Sequence, residues 1–258
     1  CLRAATADAM TLAPNSLDGV FTDPPYYDNI QYAELMDFCY AWLRQALGTE
    51  FEAFRADTTR AHAELTANDT MCRGIEHFTD GLSRVFQHYV AALKPGAPFV
   101  FTYHHNNPLA YLPLVVAILD AGLDCTATLP APAEMSASLH IAGSSSSVLD
   151  SIFVCRRQLS EDHLGIRPRL ERDAKALMAA GLSLSDGDLR CLLAGHVARV
   201  SINHLRSSWD PHRELAERIQ AAKKVLEEIT HQAVTEGATD VRREYERNTE
   251  DACHVATI

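Results

Sequence analysis

Two consecutive prolines, Pro24 and Pro25, set the firmest limit on how this chain can fold. Proline has no backbone N–H and holds φ at about −65°, so a strand does not run through a pair of them. The residues before them, Leu17-Asp18-Gly19-Val20-Phe21-Thr22, are a short apolar run bounded by turn formers, the pattern of a buried strand. That strand is expected to stop where Asp23-Pro24-Pro25-Tyr26 begins, and the two rings stiffen the loop so that its carbonyls point one way. Asp before Pro-Pro is also ordinary turn chemistry, and Asp often caps the helix that follows.

The remaining pattern alternates helices with strands. From Ile30 to Leu47 the residues Leu35, Met36, Cys39, Trp42, Leu43 and Leu47 recur at helical spacing and make one apolar face. Gly48 to Arg73 is polar and irregular, a connection expected to flank a cleft. Gly74 to Leu93 reads as a helix with Phe78, Leu82, Phe86 and Tyr89 on one stripe, ended by Lys94-Pro95-Gly96. A second buried strand follows over Pro98–Tyr103, and Tyr103-His104-His105 would fall at its carboxyl end, the ligand edge of an open α/β sheet. Adjacent histidines on a strand point to opposite faces, so a metal centre is not expected there.

A helix over Leu109–Ala121 stops at Gly122. Two strands, Leu123–Leu129 and Val148–Arg156, are expected to close the sheet as an antiparallel hairpin around a Pro-, Ala- and Ser-rich loop, with Glu134 an exposed loop acid. Beyond Ser160 the chain turns helical. Ser185 with Asp188 makes a capping box for a helix reaching Leu205, and Asp210-Pro211 reads as the start of another running to Glu236, with the last twenty residues frayed. The expected organisation is an α/β unit over residues 1–158 and a helical appendage over residues 159–258.

Composition narrows the setting. The chain has 258 residues and a formal net charge of −11, with nine basic and seventeen acidic side chains in residues 1–159. Phosphate contacts need Lys and Arg, so this chain alone should bind duplex DNA weakly. Seven scattered cysteines without a Cys-x-x-Cys pair suggest reduced thiols in the cytoplasm, and no apolar run suits a membrane span. No two glycines are separated by a single residue, so the Gly-x-Gly turn that lets a backbone approach a nucleotide cofactor is missing.

The segment TDPPYYDNIQYAELMDFCYAWLR, and Tyr-His-His after the next strand, resemble the adenine-specific DNA methylases, chiefly the large Zn-ribbon-containing subgroup found in anti-phage gene clusters. The resemblance implies S-adenosyl-L-methionine as cofactor and a partial class I methyltransferase sheet, Rossmann-like, carrying strands 4 to 7 of the order 3-2-1-4-5-7-6. It also implies that the Gly-rich half lies upstream in a longer parent protein, through which DNA would be bound, with defence-system proteins as further partners.

In such enzymes an Asp carboxylate and a proline carbonyl hold the target amine. Those roles would fall to Asp23 and Pro24, with Pro25 stiffening the loop and Tyr26 stacking on a base flipped out of the duplex. Tyr27, Asn29, Tyr103 and His104 would line the substrate side, and Asp8, with Asp23, the cofactor side. Asp at the first motif position favours adenine N6 over cytosine N4. Two further readings stay open: a protein-glutamine methyltransferase, whose motif usually begins with Asn, and a non-catalytic DNA-binding or scaffold subunit of a defence system.

Overall fold

The computed structural model describes residues 7, 10–27, 30–105, 107–133, 147–157 and 164–236. Asp8, Asn29, Glu134 and the last twenty residues therefore lie outside the described residues.

The described residues form a mixed α/β arrangement around a four-stranded sheet. β1 (Val20–Thr22) stops directly before Asp23 and the proline pair. α2 (Ile75–Ala92), which follows α1 (Tyr32–Leu47), leads into β2 (Phe99–Tyr103). Gly96 takes φ of 76° in the turn between α2 and β2, a left-handed conformation glycine adopts without a Cβ penalty. A 3-10 turn (Pro108–Tyr111) opens α3 (Leu112–Asp120), and β3 (Asp124–Pro132) pairs antiparallel with β4 (Leu149–Arg156). The strand order is β1-β2-β4-β3, with β1 and β2 parallel and the other pairs antiparallel.

Strand alternation gives the sheet two different faces. Phe99, Phe101 and Tyr103 of β2 and Ser151, Phe153 and Cys155 of β4 are buried on one of them. The rings of Phe86 on α2 and Phe153 flank Phe101, with centroids 5.7 Å and 5.0 Å away. The opposite face, with Val100, Thr102, Ile152 and Val154, is only half-buried.

Among the described residues three helices follow: α4 (Ile166–Ala179), α5 (Asp186–Leu205) and α6 (Leu215–Thr235). The capping box at Ser185 and Asp188 forms as expected. Asp188 does more than cap, because its Oδ1 also accepts from the Ser147 hydroxyl at 2.9 Å and the Val148 N–H at 2.8 Å. α5 is thereby fastened to the start of β4. It is buried around most of its circumference, and its Gly195 lies directly over Ser151 and Thr128 of the sheet. One continuous apolar core runs from Val20 to Ala233.

One expectation is corrected, and one face of a helix is left open. The segment Asp210-Pro211 is a turn, with Asp210 Oδ1 accepting from His212 N, and α6 begins only at Leu215. The apolar face of α1 is not buried: Leu35 (59 %), Met36 (54 %), Trp42 (67 %) and Leu43 (45 %) are exposed, as is the neighbouring Phe38 (75 %). α1 is held by its other side instead. The Tyr40 hydroxyl donates to the carbonyls of Ala53 and Ala56, Asp37 accepts from both N–H and hydroxyl of Thr59, and Glu64 accepts from the Ala33 N–H. The spacing of the apolar residues fixed which face of the helix they share; what covers that face was not encoded in the spacing.

Candidate functional site

The parallel register of β1 and β2, with Thr22 opposite Phe101, sets the Asp23 loop beside Thr102. Thr102 is on the half-buried face of β2, and its hydroxyl donates to Asp23 Oδ1 at 2.6 Å. Asp23 is exposed and Pro24 buried, so the loop is anchored by the ring and presents the carboxylate outward. One carboxylate oxygen is thus oriented by the protein.

Tyr26 sits half-buried at the same edge. Its N–H donates to the Tyr32 hydroxyl at 3.1 Å, and its ring meets Tyr103 edge-on at 5.2 Å and 77°. Burial, then the Asp23 and Asp150 carboxylates, push the Tyr26 hydroxyl well above the ordinary tyrosine value. It therefore stays protonated at any physiological pH. Tyr103 is buried (1 %), wedged between Tyr26 and Tyr111, and supports the loop from within the core. Tyr27 packs its ring edge-on against Phe78 of α2, and its carbonyl accepts from the Ala67 N–H at 2.6 Å.

His104 follows β2. Its Nδ1 lies 2.7 Å from the Leu149 carbonyl and 3.3 Å from Asp150 Oδ1. Asp150, then Cys191, raise the imidazole to about 10 against the opposing effect of burial. His104 is therefore a cation at neutral pH, at an edge that also holds the carboxylates of Asp23 and Asp150.

Asp23, Tyr26, Tyr103 and His104 are brought together at the carboxyl ends of β1 and β2, where open α/β sheets bind ligands. Two members of the cluster, Thr102 and Asp150, were not foreseen from the sequence. Thr102 had a readable signal, since strand alternation puts it on the same face as His104. Asp150 had none, because its position depends on how the β3–β4 hairpin registers against β2. Among the described residues there is no group of three His, Cys, Asp or Glu side chains able to hold a metal ion. Beside the loop, on the edge of β1, lies a cavity of about 330 Å³ lined by Asp23, Pro24, Pro25, Leu82, Phe86 and Tyr89 among others.

No protein-family model matches the chain, and neither does any curated protein or solved structure. No helix among the described residues is long and apolar enough to cross a membrane.

Proposed function

We propose that this chain is the substrate-holding half of an S-adenosyl-L-methionine-dependent methyltransferase acting on the exocyclic N6 of adenine in DNA, in a cytoplasmic defence or restriction–modification setting. The observation that carries the reading is the Asp23 carboxylate, held through one oxygen by Thr102, while no hydrogen-bond donor among the described residues holds the other, which can accept from an amine.

An aromatic amine is a weak nucleophile because its lone pair is delocalised into the ring. Two acceptors aimed at its two N–H bonds turn that lone pair towards an electrophile, and the Asp23 carboxylate with a carbonyl of the proline pair supplies such a set. The cost of ordering the carboxylate is met in advance by Thr102. Tyr26, neutral and half-buried, offers apolar ring surface at the same edge for a flipped base. The strand order β1-β2-β4-β3, parallel then antiparallel, is the order expected for strands 4-5-7-6 of a class I methyltransferase sheet, and it supports the same reading.

S-adenosylmethionine, when bound, supplies a methyl group on a sulfonium. The described residues do not build its cradle. The cavity beside β1 is walled largely by apolar side chains, and no Gly-x-Gly turn exists in the chain. The role derived for this chain is therefore confined to orienting the amine.

The test supplies methyl-labelled S-adenosylmethionine and plasmid or phage DNA to the intact parent protein, in which the cofactor-binding half accompanies this chain, followed by digestion to nucleosides; this chain by itself should leave the DNA unlabelled. Label is expected on N6-methyladenine and should vanish in Asp23→Ala. Thr102→Val should lower kcat by about tenfold or more, the loss of one hydrogen bond to a charged group, with Thr102→Ser restoring it. Labelled cofactor bound by a folded protein with no label on DNA would refute the reading in favour of a protein-amide substrate or a non-catalytic subunit.

A further inference from the structure

The β3–β4 hairpin brings two cysteines into direct opposition. Cys125 and Cys155 are register partners on antiparallel strands, both fully buried. The main chain shows which kind of partner pair they are. Cys125 N–H is shared between Asp124 Oδ1 at 3.0 Å and Asn203 Oδ1 at 3.3 Å, and its carbonyl accepts from Asn203 Nδ2 at 3.2 Å. Both peptide groups of Cys125 thus turn away from β4 and towards α5. That is the non-hydrogen-bonded type of antiparallel pair, with Cα atoms about 4.5 Å apart and side chains at their closest approach. A disulfide requires a Cα separation of about 4.4–6.8 Å.

The chemistry of the two thiols differs in a useful direction. Burial raises Cys125, but the Cys155 thiol, the Thr128 hydroxyl and the Arg199 guanidinium outweigh it and bring Cys125 below the ordinary thiol value. Cys155 is pushed well above that value by burial and then by Cys125. One thiol of the pair is favoured as the thiolate that starts exchange, and the other as the thiol that resolves it.

Access comes from the sheet's edge. Among the described residues β3 is the outer strand, and around Cys125 its outer side is closed by the side chains of Asp124, Asn203 and Arg199 rather than by another strand. A bulge follows immediately, with the register shifting between Cys125 and Ala127. Local opening of an edge strand at a bulge is among the cheaper fluctuations of a sheet.

We propose that Cys125 and Cys155 form a cross-strand disulfide when the protein meets a small-molecule disulfide oxidant. The Cys125 thiolate attacks one sulfur of the oxidant, releasing one thiol and leaving a mixed disulfide. The Cys155 thiolate then displaces the second thiol, so each cysteine loses a hydrogen and the oxidant is reduced to two thiols. The bond pins the register of β4, the strand that also carries Asp150 beside His104. This inference does not rest on the methyltransferase reading.

The experiment incubates the whole chain with glutathione disulfide, then unfolds it, alkylates the remaining thiols and maps the peptides by mass. The expected product is one linked pair of peptides carrying Cys125 and Cys155, lighter by two hydrogens, with slowed amide exchange over 124–132 and 149–156. In Cys155→Ser the link should be lost and glutathione retained on Cys125. Recovery of both cysteines as free thiols under conditions that modify the exposed Cys39 and Cys72 would overturn the proposal, as would a link from either one to Cys191.

Discussion

Gly195 offers a direct test of how α5 is seated, because two known effects of its replacement by alanine oppose each other. In the middle of a helix, alanine is better than glycine by about 0.8–1 kcal/mol. Here, however, a Cβ would stand 2.5 Å from Ser151 Oγ, 3.1 Å from Ser151 Cβ and 3.3 Å from Thr128 Cγ2. Ser151 is on the central part of the sheet and almost fully buried, so it cannot swing aside into solvent. Forcing an extra methyl into such a contact costs about 1–3 kcal/mol. The contact should win, and Gly195→Ala should be less stable than the native chain by about 1 kcal/mol, lowering Tm by roughly 2–4 °C in a chain of this size. Urea unfolding followed by far-UV circular dichroism measures this, with an unchanged m-value as the sign that the folded state is otherwise the same. Adding Ser151→Ala removes the nearest atom, so the double variant should be more stable than the sum of the two single effects. A Gly195→Ala protein more stable by the full helix-propensity gain would refute the close seating of α5 on β3 and β4.

Two further perturbations follow from the same geometry. In a proton NMR titration, His104 should titrate near 10, and in Asp150→Asn it should fall towards 6.5. Because the folded value is the raised one, the stability this pair contributes is complete below pH 6.5 and is lost as pH rises towards 10; a native His104 titrating near 6.5 would contradict the pairing. The buried carboxylate of Asp120 accepts from Ser83 Oγ, Trp209 Nε1 and Arg218 Nη1, joining α2, α3 and the start of α6. Asp120→Ala strands the Arg218 charge and should cost about 3–5 kcal/mol in chemical denaturation, whereas a loss under about 1 kcal/mol would show the network to be dispensable.

The elements most legible in the sequence are those whose own residues decide them. α2 was readable because Phe78, Leu82 and Phe86 recur on one stripe between a glycine and Lys94-Pro95-Gly96, and all three are buried. The Ser185 cap was readable because its partner is three residues away. At the candidate site the strand ends were visible, so Asp23 and His104 could be named, but the groups that orient them come from across the sheet. Thr102 reaches Asp23 only through strand pairing, and Asp150 reaches His104 only after a distant hairpin closes. The exposed face of α1 has the same origin. Periodicity reports which side chains share a face, while burial of that face depends on neighbours far along the chain.

The way α1 is attached has a consequence for how the protein responds to denaturant. Its contacts to residues 53–64 are mostly hydrogen bonds and ion pairs, made by Ala33, Glu34, Asp37, Tyr40 and Arg44, with one ring stack of Tyr40 on Phe54, and most of its large apolar side chains already face solvent. Releasing the helix would uncover little new surface beyond Ala33 and the Tyr40–Phe54 pair. Urea acts in proportion to the surface that an opening exposes, so amide exchange in α1 should proceed at a rate almost independent of urea well below the unfolding midpoint. The amides of β2 and α5, whose exposure requires the core to open, should show the steep dependence of the whole chain.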